Sequence, residues 1–533
     1  MPASPHLRLT GPGISGMMPG SRYGIDHHWP GEGFVNRSAG SFGRKAALVA
    51  AILGWLFDGF EMGLFPLIGG PAIKDLLGAS AAPGAADKWF GAIIAVFLVG
   101  AATGGVLFGW LGDVIGRVRA MSLSIFTYAI FTGLCGFATE AWHVAFLRFI
   151  ASLGMGGEWS LGVALVNEIW PGKSRAVTAG LIGAAANVGF LLVALLSLGL
   201  GSVIDGARGM LLGLGLAEPT VAHLLANSAW RLLMISGALP ALLIFLIRIW
   251  VPESEKWQAE SDRGATSHWM TADLLGVLVG GLAALSIIWA WSPAGLAVLP
   301  ATIVTVIGLV IAAAGYLYPV FRYLGRAEAA GMLESGSGRH VVAMMLFGAG
   351  LAGVTLLGTW GSIQWIPRWA LQLGGDAAPH AKEYSQIATA LGAIVATYAT
   401  ALVADRIGRR PTFAILCLAT IAAALWLYQG HDAFGPSFLT AAFLAGGISA
   451  SFYGFFPLYF PELFPTAVRA TGQGFAFNFG RIIAAIGGLQ TATLMAFFGG
   501  SFPKAGSVLV VIYLVGAVLV WLGPETKGRP LPE

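Results

Sequence analysis

Five ionisable side chains stand inside long apolar stretches of this chain: Asp58, Glu61, Arg148, Glu158 and Arg481. A charge near the centre of a bilayer costs about 2.5–3.5 kcal/mol on insertion scales, so residues kept there do work. Carboxylates in such a place can carry a proton, and guanidinium groups can hold an anion. Asp58 and Glu61 are three residues apart and share one helical face. Glu61 lies eight residues from the outer end of its stretch, and Arg148 lies six from the outer end of another. At 1.5 Å per residue both sit roughly 9–12 Å below the same surface, so they can form an ion pair. Glu158 admits two readings: a second proton site, or a partner of charges nearer the inner surface.

The elements that position these residues must be membrane helices. The chain has 533 residues, 56% hydrophobic and only 11% charged. Soluble proteins carry about 25% charged residues. Apolar runs of about 20 residues recur, the length that crosses roughly 30 Å of hydrocarbon. Fourteen spans are expected. The first six lie at 45–69, 88–111, 119–138, 142–167, 175–203 and 229–251, and a tight pair at 271–291 and 295–319. The last six lie at 340–366, 385–403, 411–429, 436–460, 468–498 and 503–523.

The chain is one unit written twice. Gly109–Arg119, GWLGDVIGRVR, returns as Leu402–Arg410, LVADRIGRR, each between two apolar runs. In both, Asp is followed three residues later by Gly and then by Arg: Asp113 with Arg117, Asp405 with Arg409. A second block follows each, NEIWPGKSR with Glu168 and Arg175, and PELFPTAVR with Glu462 and Arg469. The Arg comes seven residues after the Glu in both blocks. Asn187 and Asn478 fall at matching places in the fifth span of each half. An Asp, a turn that Gly permits and an Arg make a compact charged latch at helix ends.

Lys and Arg set the orientation. With the N-terminus inside, cytoplasmic segments hold 21 of them and outer segments seven. Both termini, both Asp–Gly–Arg loops and both Glu–Arg blocks then face the cytoplasm. The expected domains are a disordered tail at 1–44 and a six-helix bundle at 45–252. Linkers and an inserted two-helix hairpin follow at 253–339, then a second six-helix bundle at 340–523 and a cytoplasmic tail at 524–533. The fold class is all-α membrane protein. Arg44 and Lys45 precede the first run, which lacks a small-residue cleavage site, so it stays as an anchor. His27 and His28 belong to the solvated tail. Cys135 and Cys417 fall inside apolar runs and read as packing residues. The net charge of +4 gives no case for nucleic acid. No GxxxxGK[ST] loop, His or Cys cluster or large soluble domain is present, which disfavours ATP hydrolysis, an embedded enzyme and a membrane sensor. No cofactor or metal is expected. The partners are a small molecule, protons and lipid, and a monomer is expected.

The two Asp–Gly–Arg loops resemble the signature loops of the major facilitator superfamily. PESEKW at Pro252–Trp257 and PETKGR at Pro524–Arg529 resemble motifs that close each half in sugar porters. FDGFE at Phe57–Glu61 and RFIASLGMGGEWSLGVALVNEIWP at Arg148–Pro171 are more similar to the metabolite:proton symporters, sialic acid transporters among them. Those sialic acid transporters also carry two extra central spans. The resemblance implies a major facilitator fold, two six-helix bundles and a secondary active transporter. It implies that Asp113, Arg117, Glu168 and Arg175 link helix ends within the first half, and Asp405, Arg409, Glu462 and Arg469 within the second, as a gate. Sugar porters pair a span-one acid with a span-four Arg for proton coupling, which here means Glu61 and Arg148, with Asp58 in reserve. Their sugar-stacking Trp is absent: Pro457 and Leu458 stand five and four residues before Glu462.

The leading expectation is proton-coupled symport of a small organic anion, a monocarboxylate or a sialic-acid-like sugar acid, across the inner membrane. A sugar or polyol carrier is the alternative, and a cation or drug exporter is disfavoured by two intramembrane Arg. Substrate contacts are expected from Arg481, Asn187, Asn478, Gln364 and Glu158. For Arg481, a substrate carboxylate and a gating role in the second half stay equally open.

Overall fold

The computed structural model describes residues 41–79, 81–82, 85–170, 174–291, 295–332 and 337–532. The tail at 1–40, with His27 and His28, lies outside them. Ser38–Glu533 forms one compact unit. The described chain is helical throughout. Among the described residues twelve helices are long and apolar enough to cross a membrane. Two of the fourteen expected spans are not among those twelve. The 229–251 stretch is broken into the end of one helix, a 3-10 turn at Leu239–Leu242 carrying Pro240, and a short helix. The 468–498 stretch is one helix, Arg469–Phe497, that carries Arg469, Gln473, Asn478 and Arg481.

The first repeat supplies α1 (Ser41–Leu77), α2 (Ala85–Ile115), α3 (Arg117–Leu134), α4 (Ala141–Ile169) and α5 (Arg175–Leu198). It continues with α6 (Leu200–Gly213), α7 (Glu218–Ser236) and α8 (Leu243–Trp250). Helix α1 starts inside the stretch expected to be tail. A short α9 (Glu255–Asp262) leads to α10 (Leu274–Ala290) and α11 (Val298–Ala329). The second repeat supplies α12 (Ser337–Gly361), α13 (Ile366–Gly374), α14 (Ala381–Ile407) and α15 (Arg409–Gln429). It ends with α16 (Pro436–Ala450), α17 (Phe452–Tyr459), α18 (Arg469–Phe497), α19 (Phe502–Leu509) and α20 (Tyr513–Leu519).

Packing repeats with the sequence. In the first repeat α2 packs on α4 and α1 on α5; in the second, α14 packs on α16 and α12 on α18. The repeats meet along two equivalent seams, α2 against α18 and α5 against α14. Small residues make these seams possible, because they let helix backbones touch. A Cβ on Gly474 of α18 would stand 2.2 Å from the Gly105 carbonyl oxygen of α2. One on Gly183 of α5 would stand 2.4 Å from the Tyr453 oxygen of α17.

Helices α10 and α11 run antiparallel, with Gly276 against Gly315 and Gly308 against Ile287. They lie over the α2–α18 seam. The Tyr316 hydroxyl and the Thr103 hydroxyl of α2 are hydrogen-bonded at 2.8 Å, and the Tyr316 ring stands edge-on to Phe479 of α18. Leu275, Leu278, Leu282, Ile303, Val306 and Val310 point outward, a surface suited to lipid.

Candidate functional site

Each Asp–Gly–Arg loop is a one-residue break between two helices. Gly116 and Gly408 have φ of +102° and +106°, a region that a side chain rarely adopts. The break leaves the first N–H groups of α3 and α15 without helical partners, and a carboxylate caps each. Glu253 Oε1 accepts from Arg117 N at 2.9 Å, and Glu253 Oε2 from Val118 N at 3.1 Å. Glu525 accepts from Arg409 N at 3.0 Å and Arg410 N at 3.1 Å. These are the glutamates of PESEKW and PETKGR, so the closing motif of each repeat caps that repeat's third span. A Cβ at Gly116 would stand 2.4 Å from Glu253 Oε2, so the cap also requires the glycine. The two caps differ electrostatically. Burial raises the Glu253 carboxyl above its usual range, against the opposing hydrogen bonds from backbone N–H groups and the charge of Arg117. Burial also works upward at Glu525, but the N–H groups of Arg409, Lys527 and Arg410 outweigh it and hold that carboxyl below the usual range.

The latch itself is built across the repeats. Arg117 binds Asp113 at 2.7 Å and Glu168 at 3.1 Å, as expected within the first half. Arg409 likewise binds Glu462 at 2.6 Å within the second. The two remaining arginines cross over, contrary to expectation. Arg469 binds Glu168 at 2.7 Å, and Arg175 approaches Glu462 at 3.6 Å. The reason is packing: α18 begins against the end of α2, and α5 lies along α14 and α17. Asp113 also crosses over, accepting from Ala470 N at 3.2 Å, Thr471 N at 2.9 Å and the Thr471 hydroxyl at 2.6 Å. Arg117 donates to the Thr466 carbonyl at 2.8 Å, and Asn167 to the Pro457 carbonyl at 3.1 Å. Asp405 does not share in this. Its side chain is half exposed and 3.5 Å from Arg409, while Thr526 from the C-terminal segment donates to Glu462 at 2.6 Å.

Midway along the bundle the charges form two groups. Arg148 and Glu61 are paired at 2.7 Å, both buried, as depth arithmetic predicts. The Arg148 guanidinium is clamped between the Phe65 and Phe97 rings, 4.3 and 4.5 Å from their centroids. Thr132 reaches Glu61 Oε1 at 3.5 Å, and Glu61 Oε2 and Arg148 Nε have no partner.

The second group is Asp58 on α1, Glu158 on α4 and Arg481 on α18. Each is buried. Glu158 lies over Gly54, one turn from Asp58: a Cβ at Gly54 would be 1.7 Å from Glu158 Oε1. Asp58 stands in the electrostatic field of Glu158, Arg481 and Glu61. The Asp58 and Glu158 side chains are within hydrogen-bond reach of each other, no N–H or hydroxyl donor meets either Asp58 oxygen or Glu158 Oε2, and Arg481 Nη1 has no acceptor. Beside them is an aromatic cluster. Trp159 stacks on Phe477 at 4.0 Å across the seam, and Trp55 stands 5.9 Å from Trp159. A cavity lined by Trp55, Glu158, Trp159, Met121, Gly162 and Ile182 opens here. Thus Glu158 belongs with Asp58 and not with the latch.

The paired asparagines are seam residues. Asn478 donates to the Gly156 carbonyl of α4 at 3.0 Å, and Asn187 to the Thr397 hydroxyl of α14 at 3.4 Å. Gln364 is exposed in the 3-10 turn Ile363–Trp365. Sequence reasoning missed Phe65, Phe97, Thr471 and the capping roles of Glu253 and Glu525. For the caps a signal existed, since PES and PET both end their repeat.

A doubled helical bundle with crossed seams and a latch at one end defines a transporter of the major facilitator fold. The proton:xylose symporter XylE, solved bound to 6-bromo-6-deoxy-D-glucose, superposes with a TM-score of 0.65 at 18% identity, over 92% of this chain and 98% of its own. The chain belongs to the Sugar (and other) transporter family, whose profile matches residues 46–276 and 377–533. Two relatives are each 26% identical. A putative metabolite transport protein of Haemophilus influenzae matches over 93% of this chain and 100% of its own length. A probable 4-methylmuconolactone transporter of Cupriavidus pinatubonensis matches over 93% and 94%. Family and structural neighbours are transporters, not enzymes.

Proposed function

We propose that this protein is a proton-coupled symporter of a small organic anion, a monocarboxylate or a sialic-acid-like sugar acid, working by alternating access in the plasma membrane. The observation that carries the reading is a buried guanidinium with an unpartnered nitrogen, Arg481 Nη1, at mid-bundle between the repeats. A buried guanidinium N–H without an acceptor is costly, and a substrate carboxylate would satisfy it. The 4-methylmuconolactone relative is in keeping with a small-metabolite substrate. Asn187, Asn478 and Gln364 drop back as substrate contacts, the first two because their amides hold the seams.

Coupling runs through Glu61 and Arg148. The pair is buried at 2.7 Å, so a movement that parts it leaves two uncompensated charges, and transport can be tied to that event. The latch of Asp113, Arg117, Glu168 and Arg469, with its counterpart of Arg409, Glu462 and Arg175, shuts the cytoplasmic side. The 21-to-7 bias of Lys and Arg supports that orientation and both termini inside. Fourteen spans keep the parity: α10 and α11 cross as an inserted hairpin, and the broken 229–251 stretch and α18 cross as well. A monomer suffices, since the site lies within one chain.

Uptake into proteoliposomes with an imposed pH gradient tests the reading, after a thermal-shift screen of organic acids and sugars supplies the substrate. Glu61→Gln is expected to lose proton-driven accumulation and keep counterflow exchange, and Arg148→Ala to impair both. Accumulation against a gradient by Glu61→Gln would refute the coupling role. A neutral sugar or polyol is the second reading, favoured by the Trp55, Trp159 and Phe477 rings beside the cavity, on which a sugar ring can stack. A substrate without a carboxylate in the screen would select it.

A further inference from the structure

The Glu61–Arg148 pair leaves one buried acidic group unexplained. Asp58 and Glu158 come from different helices, are each nearly inaccessible, and lie within side-chain hydrogen-bond reach of each other, while no N–H or hydroxyl donor meets either Asp58 oxygen or Glu158 Oε2. Two adjacent buried carboxylates cannot both ionise at tolerable cost, so such pairs share a proton. The charged and titratable groups facing them are few. Glu61 stands on the same helix but is held by Arg148. Tyr128 faces from α3, its hydroxyl without a partner. Arg481 faces from α18, and Tyr453 on α17 stands near Arg481. Among the described residues, Arg481 is therefore the cation that faces Asp58 and can balance it, and it comes from the other repeat.

We propose that Asp58 and Glu158 form a second proton site, distinct from Glu61–Arg148, whose loading is set by whether Arg481 faces Asp58 or a bound substrate carboxylate. With Arg481 beside Asp58, Glu158 carries the proton and the three groups sum to zero charge. When a substrate carboxylate takes Arg481, the Asp58 carboxylate binds one proton from the medium through a new O–H bond, and the sum is again zero. Release on the other side reverses the step: the anion and the proton leave, and Arg481 returns to Asp58. One proton then accompanies each anion at this site, in addition to any carried by Glu61. Gly54 makes the pair possible, since any side chain there would displace Glu158. The inference rests on the anion reading only in the identity of what displaces Asp58 from Arg481. Proton sharing itself does not need it.

Infrared spectroscopy of the purified full-length protein in lipid nanodiscs tests the site without a substrate, through the C=O stretch of buried protonated carboxyls at neutral pH. The wild type is expected to show one such band. Glu158→Gln should lose it, because Asp58 alone stays ionised beside Arg481. Arg481→Met should roughly double it, since Asp58 then takes a proton too. Arg481→Lys, which keeps the cation, should leave it as in the wild type, and also guards against a misfolded Met variant. Glu61→Gln should leave it unchanged, which separates this site from the proposed coupling pair. The absence of a band in the wild type, a band that survives Glu158→Gln, or one that Arg481→Met leaves unchanged overturns the proposal. A doubled band with no carboxylate binding in the thermal-shift screen would retain the proton site and reject the anion reading.

Discussion

Asp113→Asn should unlatch the seam between the repeats. The carboxylate accepts four hydrogen bonds, three of them from Ala470 and Thr471 of the second repeat. Arg117 and Ala470 N–H meet Oδ1, while Thr471 N–H and its hydroxyl meet Oδ2. An Asn can keep its carbonyl toward the first two. Its NH2 must then face the Thr471 N–H, donor against donor, although the hydroxyl can rotate to accept. One hydrogen bond to a charged group is lost outright, at about 1.5–3 kcal/mol, and those retained lose their charge assistance. A total of about 2–4 kcal/mol falls on the latched state alone, because the donors leave with α18 when the seam opens. That is roughly a 30- to 1,000-fold rise in the unlatched fraction. Ser160 reports it. It is fully buried on α4, and its carbonyl accepts from Gln473 of α18. In a background with Cys135 and Cys417 replaced, Ser160→Cys should react with a membrane-permeant maleimide at a rate proportional to that fraction. Asp113→Asn is expected to raise this rate by the factor above and to slow maximal turnover far more than it weakens equilibrium binding. An unchanged alkylation rate, or an unchanged maximal rate in a well-expressed variant, would refute the gating role.

Gly116→Ala combines a positive φ with a Cβ 2.4 Å from its capping carboxylate, so a loss of about 2–4 kcal/mol is expected as a lowered melting temperature in detergent. Gly408→Ala, with 2.8 Å of room, should lose less; a melting temperature unchanged in both would reject the capping account. The two caps should have opposite pH signatures. Glu525, held below its usual range when folded, contributes stability above the unfolded carboxyl value and loses it as pH falls through the folded one. Glu253, raised when folded, contributes below the unfolded value and loses it as pH rises through the folded one. The Glu525→Gln melting profile should lie below the wild type at neutral pH and meet it as pH falls, whereas the Glu253→Gln profile should follow the wild type at acid pH and part from it as pH rises toward neutral. Asp376→Cys should react with an impermeant reagent in intact cells, a better site than Gly375, whose φ of +49° would strain a side chain. Protection there, with reaction of a cysteine in the 260s loop, would invert the topology.

What the sequence made legible was whatever depends on distance along one helix. The Glu61–Arg148 pair follows from two residue counts and a fixed rise, and its length of 2.7 Å agrees. The latch residues were legible as a set for the same reason. Their partners were not, because two identical spacings are satisfied equally by pairing within repeats or between them. Only the packing of α18 on α2 decides for Arg469, and no spacing encodes it. Asp405 keeps its expected partner, Arg409 at 3.5 Å, but its side chain is half exposed and it lacks the cross-repeat contacts that bury Asp113 against Ala470 and Thr471, a difference that the repeated spacing does not show. Glu158 was ambiguous because its neighbour is a glycine. The space that Gly54 leaves becomes visible only when α1 and α4 are laid side by side. Gln364 was placed on a continuing helix, whereas Ser362 breaks α12 and turns it outward.

The charged residues of α4 link these sites mechanically. Arg148, Glu158 and Glu168 are spaced ten residues apart, about 15 Å each along the axis. One helix therefore carries the ion pair with Glu61, the carboxyl pair with Asp58 and the latch contact with Arg469. Along the facing helix α18 run Arg469, Gln473, Asn478 and Arg481, and the first three bond to Glu168, Ser160 and Gly156 of α4. Helices are stiff over this length, so α18 cannot lift from Glu168 while Arg481 keeps its place beside Asp58. Breaking the latch and separating Arg481 from Asp58 are then one movement. An empty, unprotonated site resists it, because Asp58 would be left as a buried carboxylate without its cation. In the proposed cycle, anion and proton together remove that penalty. The latch has only to be weak enough to open once the penalty is gone, and this is why one carboxylate at Asp113, turned to an amide, should matter so much.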